Sequence, residues 1–173
     1  MSRLRRVVLS SRFFFVTCRV ARPRSPLGES EFACLAGVIR SRREKERFLL
    51  TAWVFLPDPW QAILFPRQPA TLSGVMESIK VSSTRLIHNG QGETGRVWQG
   101  RCFDRTLRTV KEDHEKVEYI HLNPVKAGRV SHAKDWLWSN VHDYTGSLDA
   151  SAKTKGILAV DRFLLPADER TRI

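Results

Sequence analysis

Phe48-Leu-Leu-Thr-Ala-Trp-Val-Phe-Leu-Pro-Asp-Pro-Trp-Gln-Ala-Ile-Leu-Phe65 reads as strand, turn, strand. Phe48 to Leu56 is almost continuously apolar, the mark of a strand covered on both faces. Pro57-Asp58 turns the chain. Pro59 to Phe65 returns as a second strand, proline being tolerated at a strand's first position. Side chains alternate along a strand, so positions 59, 61, 63 and 65 share one face. A hairpin of this kind needs cover on its faces, which the flanking segments must supply.

Upstream, Arg12-Phe-Phe-Phe-Val-Thr-Cys-Arg19 is aromatic and β-branched, a further strand. Ala21 to Gly28 is a loop carrying Arg22 and Arg24. Ser30 is the expected N-cap of a helix in which Phe32, Leu35, Val38 and Ile39 recur at helical spacing to about Arg43. Arg40, Arg42, Arg43, Lys45 and Arg47 form a basic run that suits solvent or a DNA backbone. Downstream, Leu72, Val75, Met76, Ile79, Ser83, Leu86 and Ile87 outline an amphipathic helix ending before Asn89-Gly90. Gln91 to Gly95 is a flexible polar loop. Val97-Trp-Gln99 and Cys102 to Thr106 suggest a last strand with a bulge at Gly100. Trp98 suits either core packing or stacking on a base. The order strand–helix–strand–strand–helix–strand–helix predicts an α+β fold: a ferredoxin-like, mainly antiparallel sheet with helices on its faces.

The last helix lies in Glu112-Asp-His-Glu-Lys-Val-Glu-Tyr-Ile-His-Leu-Asn-Pro-Val-Lys-Ala-Gly-Arg-Val130 and is expected to stop at Pro124. On a wheel, Val110, Val117 and Ile120 share one face, with His114 and His121 beside them as packing residues. Tyr119 falls opposite, with Asn123 one turn on and Glu115 and Glu112 behind it. A phenol among a carboxamide and carboxylates suits a nucleophile beside a cation, and suits equally a half-exposed ring packed on a neighbour.

A net charge of +11 over 173 residues favours a polyanionic partner, most simply nucleic acid. Cys18, Cys34 and Cys102 are odd in number and widely spaced, giving neither a zinc ribbon nor a disulfide framework, so a reducing cytoplasm is expected. No apolar run is long enough to span a membrane. Met1 to Arg12 is basic and acid-free, which suits an organellar transit peptide or a basic arm running into the first strand. No nucleotide-binding glycine motif occurs.

Tyr119-Ile-His-Leu-Asn-Pro-Val-Lys-Ala-Gly-Arg-Val130 resembles the signature of the REP-associated tyrosine transposases, a branch of the single-tyrosine HUH transposases. Phe15-Val-Thr-Cys18, Leu56-Pro-Asp58, Leu72 to Lys80, Gly95 to Gln99, Arg101 to Asp104, Trp136 to Ser139 and His142 to Gly146 fall in the family's order. The resemblance implies the same palm, over residues 13–146, between a basic arm (1–12) and a C-terminal extension (147–173). It implies single-stranded or hairpin DNA of repeated palindromes as partner, cut and rejoined through a 5′-phosphotyrosine link at Tyr119. It also implies a divalent metal, Mg²⁺ or Mn²⁺, faced by Asn123 and held by a His-x-His pair. Here that pair is Pro59 and Gln61, which offer no imidazole, leaving an oxygen set of Gln61, Asn123, Asp58 and Glu115. Arg3, Arg5, Arg6, Arg12, Arg22, Arg24, Lys80, Arg85 and Lys126 are the expected DNA contacts. The expected assembly is a monomer or weak dimer. A hairpin-binding protein that no longer cuts, and a basic RNA-associated protein, are the alternatives.

Overall fold

A computed structural model describes residues 12–145 and 156–161. Arg3, Arg5, Arg6 and most of the N-terminal arm lie outside this range, as does much of the C-terminal extension. The elements run β1 (Phe13–Cys18), α1 (Glu29–Glu46), β2 (Phe48–Phe55), β3 (Trp60–Pro66), α2 (Leu72–Gln91), β4 (Phe103–Leu107), α3 (Val110–Lys126) and α4 (Val141–Thr145). The sheet has the order β2-β3-β1-β4, and every neighbouring pair is antiparallel. This is the ferredoxin-like α+β arrangement that the order of apolar segments predicts.

The β2–β3 hairpin forms as expected, because its two strands have something to bury on each side. Trp60, Ala62 and Leu64 pack with Trp53 and Phe55 under α1 and α2. Ile63 faces the other way, with Val54, Ala52 and Phe15, beneath α3. Gln61, next to Ile63 in the alternation, therefore points toward α3. Val117 and Ile120 pin α3 to that layer, and Ile120 is fully buried. Its truncation to alanine would cost about 3 kcal/mol, the usual scale for emptying a core position.

Several boundaries differ from the sequence reading. α1 is capped by Gly28 rather than Ser30, because the Glu31 carboxylate reaches back to accept the Gly28 N–H at 2.8 Å. It continues to Glu46, and Arg47 ends it with φ 53. α2 runs past Asn89 because the left-handed residue that closes it is Gly92, with φ 65. α3 does not stop before Pro124 but runs through it to Lys126. The proline sits in the last turn, where only one intrahelical bond is forfeited, and its own carbonyl accepts from Arg129 N at 2.9 Å. The bulge near Gly100 is present. Between the pairs Thr17↔Phe103 and Val20↔Trp98, β1 spends two residues and its partner four.

Trp98 is core, its indole N–H donating to Ser83 at 2.8 Å. Part of the C-terminal extension is docked: Leu158 is fully buried, and its carbonyl accepts from the Trp53 indole at 3.0 Å. No helix among the described residues is long and apolar enough to cross a membrane.

Candidate nucleic-acid interface

The helix that carries Tyr119 is fixed at its start by local chemistry. Thr109 accepts the Glu112 N–H at 3.1 Å, and the Glu112 carboxylate accepts the Arg108 N–H at 2.7 Å. That backbone bond, reinforced by Arg105 at 3.2 Å, holds the Glu112 carboxyl below its ordinary pKa. Glu112 is thus part of the cap rather than a companion of the tyrosine. His114 is exposed, whereas His121 is buried with a ring nitrogen 3.1 Å from Asn140 Oδ1.

One turn apart on α3, Tyr119 and Asn123 meet the sheet differently. The Asn123 carboxamide donates to Gln61 Oε1, and Gln61 Nε2 donates to Thr17 Oγ1 at 3.2 Å. Gln61 is only 4% exposed, so it ties β3, β1 and α3 together from inside. Tyr119 is 37% exposed and rests edge-on against Phe15, ring centroids 5.9 Å apart. The two readings of this tyrosine are therefore not exclusive: it packs on a neighbour and also reaches solvent. Lys116 and Lys126 each place an ammonium 4.9 Å from its ring. Phe103, at the open edge of the sheet, stands 6.3 Å from Phe15 and is 61% exposed.

The four oxygen donors named from sequence do not converge. Gln61 and Asn123 meet, but bond to each other. The Asp58 carboxylate accepts the Val20 N–H at 3.0 Å and faces Arg19 at 3.6 Å, so it shapes the turn. Glu115 is exposed on α3. The basic residues also divide. Arg24 is drawn into Glu31 and Glu93 and is largely covered, so its charge is engaged within the fold. Lys80 donates to the Gln99 and Gly100 carbonyls at 2.6 and 3.0 Å, and Arg85 is exposed; both sit on α2, across the sheet from Tyr119. Arg12 and Arg22 are exposed, and Lys126 adjoins the phenol. Arg40 and Arg43 are committed to the carbonyls of Ile157 and Ala159. Sequence reasoning missed Lys116 and Phe103. The first was legible as the residue three before Tyr119 on a helix; the second needed the sheet edge.

This arrangement can be set beside known proteins. The chain is 29% identical over 143 residues to the REP-associated tyrosine transposase of Escherichia coli K12, across 82% of this chain and 84% of that one. It superposes on the structure of a REP-associated tyrosine transposase bound to a REP hairpin with a TM-score of 0.73 at 26% identity, covering 95% of this chain and 92% of that one. In sequence and in fold it is similar to REP-associated tyrosine transposases. A shorter match, 39% identical over 46 residues, is to a candidate REP-associated tyrosine transposase of Haemophilus influenzae, 26% of whose length it covers. A crystal structure of a candidate transposase from Deinococcus radiodurans, at 14% identity and TM-score 0.50 over 69% of this chain and 95% of that one, shares the fold. No protein-family model matches the chain.

The divalent metal implied by the sequence resemblance can be tested against the donors present here. Gln61 and Asn123 offer only neutral amide oxygens, and the Gln61 Oε1 already accepts from Asn123 while its Nε2 donates to Thr17. Among the described residues, no three His, Cys, Asp or Glu are gathered to hold a metal. This donor set does not fit a divalent ion.

Proposed function

We propose that this protein binds DNA hairpins of repeated palindromes, with a single-stranded flank laid over Tyr119, and holds that strand rather than cutting it. The observation that carries the reading is the Asn123–Gln61 hydrogen bond at the position of the missing metal ligand, one helical turn from an exposed tyrosine. Support for the ligand comes from the hairpin bound by the structural relative and from the net charge of +11. On this reading Lys116 and Lys126 neutralise a phosphate, the Tyr119 hydroxyl donates a hydrogen bond to it, and Phe103 stacks on a base. Arg12 and Arg22, with Arg3, Arg5 and Arg6 of the arm, add salt-sensitive affinity.

The test is a labelled hairpin oligonucleotide with a single-stranded flank, titrated beside a scrambled strand of equal length. Preference for the hairpin at moderate salt, unchanged by a chelator, is expected. Equal affinity for both strands would sink the binding claim. A covalent adduct formed with Mg²⁺ or Mn²⁺ and absent from Tyr119→Phe would replace holding by cutting. Restoring imidazoles, in Pro59→His with Gln61→His, is expected to create that adduct where the natural chain gives none.

A further inference from the structure

Two of the three cysteines, far apart in sequence, lie together in the fold. Cys18 ends β1 and is fully buried; Cys102 stands just before β4 and is half-buried. Their sulfurs are 2.6 Å apart. The β1–β4 ladder explains the meeting. Thr17 pairs with Phe103, and one further step along the antiparallel register sets Cys18 opposite Cys102. Residues directly opposite on antiparallel strands have Cα separations of about 4.5–5.5 Å, within the range a disulfide spans. The four-residue bulge that Cys102 closes gives the backbone slack to adjust. Lys80 holds that bulge by its donations to Gln99 and Gly100.

We infer that Cys18 and Cys102 form a reversible dithiol–disulfide site, oxidised by a small disulfide such as oxidised glutathione. This site is independent of the proposed DNA function. Cys102 is the entry point, because it lines an open cleft of about 440 Å³ with Met76, Lys80 and Asp104. The Cys102 thiolate attacks one glutathione sulfur and releases the other as a thiolate. Cys18 then gives up its proton to solvent, attacks Cys102 Sγ and expels the second glutathione as a thiolate. In sum, two protein thiols and one oxidised glutathione become one protein disulfide and two reduced glutathiones. Sharing of the hydrogen bond with Cys18, aided by the Lys80 ammonium, lowers the Cys102 thiol below its ordinary pKa, and the same contact raises Cys18. That division suits attack by Cys102 first.

The experiment incubates the full chain with oxidised glutathione and reads intact mass and Tm, before and after dithiothreitol. The expected result is loss of two hydrogens and a rise in Tm of several degrees, both reversed by the reductant. Cys34→Ser should behave identically, while Cys18→Ser and Cys102→Ser should not lose the hydrogens. Cys102→Ser replaces a half-buried thiol and so tests the pair even where Cys18→Ser weakens the fold. Unchanged mass, or a stable glutathione adduct on Cys102 that never resolves, overturns the inference.

Discussion

The two edges of the sheet are treated in opposite ways. β2 is closed by the chain's own later segments. Its Phe55 N–H donates to Trp138 O at 2.8 Å, its Trp53 N–H to Asn140 Oδ1 at 2.8 Å, and its Leu50 N–H to Asp161 at 2.9 Å. The Trp136 indole and the Tyr144 hydroxyl donate to the Phe55 and Thr51 carbonyls. β4, at the other edge, carries no further strand among the described residues, and Phe103, Asp104 and Arg105 are exposed. A short edge marked by charge resists pairing with another copy of itself. It still leaves an aromatic ring and cations turned outward beside Tyr119. Stability is concentrated at one rim of the sheet, and the features suited to recognition at the other.

If that division is right, the largest loss of stability comes from the closed rim. Asn140 is fully buried, and its Oδ1 accepts from both Trp53 N and His121 Nε2, which fixes the proton on that ring nitrogen. Asn140→Ala is expected to cost about 3 kcal/mol in urea unfolding, since buried donors lose their acceptor. A loss under about 0.5 kcal/mol would erase the contrast. At the open rim the order reverses. Phe103→Ala should change stability by no more than about 0.5 kcal/mol. It should weaken hairpin binding roughly tenfold, as for the loss of one stacked base, with Phe103→Trp retaining affinity.

The smallest effect is a pH dependence. Burial pulls the His121 pKa below its ordinary value, outweighing the Asn140 bond that acts the other way. As pH falls, the unfolded chain is protonated first. The contribution is therefore whole above the ordinary imidazole range and is lost as pH drops through the depressed folded value. Unfolding measured from about pH 7 to about pH 5 should show this slope, and His121→Gln should lack it.

What was legible follows from periodicity. Alternation in 59–65 set Gln61 on the face of Ile63, and helical spacing set Asn123 one turn from Tyr119, so the amide pair was within reach of the sequence. Partners across long separations were not. Nothing local distinguishes Arg24, consumed by Glu31 and Glu93, from the exposed Arg22. Nor does spacing reveal that Arg40 and Arg43 serve the carbonyls of Ile157 and Ala159 rather than a phosphate. Phe103 reads as one more apolar strand residue until the sheet order leaves it on a rim. Proline's usual veto failed at Pro124 because tertiary packing of a buried last turn outweighs one missing bond.

The docking of residues 156–161 sets a lower bound on what must be present for this protein to fold. Leu158 completes the layer over Trp53, Asp161 completes the hydrogen bonding of Leu50, and two arginines of α1 end on the Ile157 and Ala159 carbonyls. The folded unit thus reaches at least to Asp161, past residue 146 where the sequence motifs end, and trimming the chain there would discard part of its keystone.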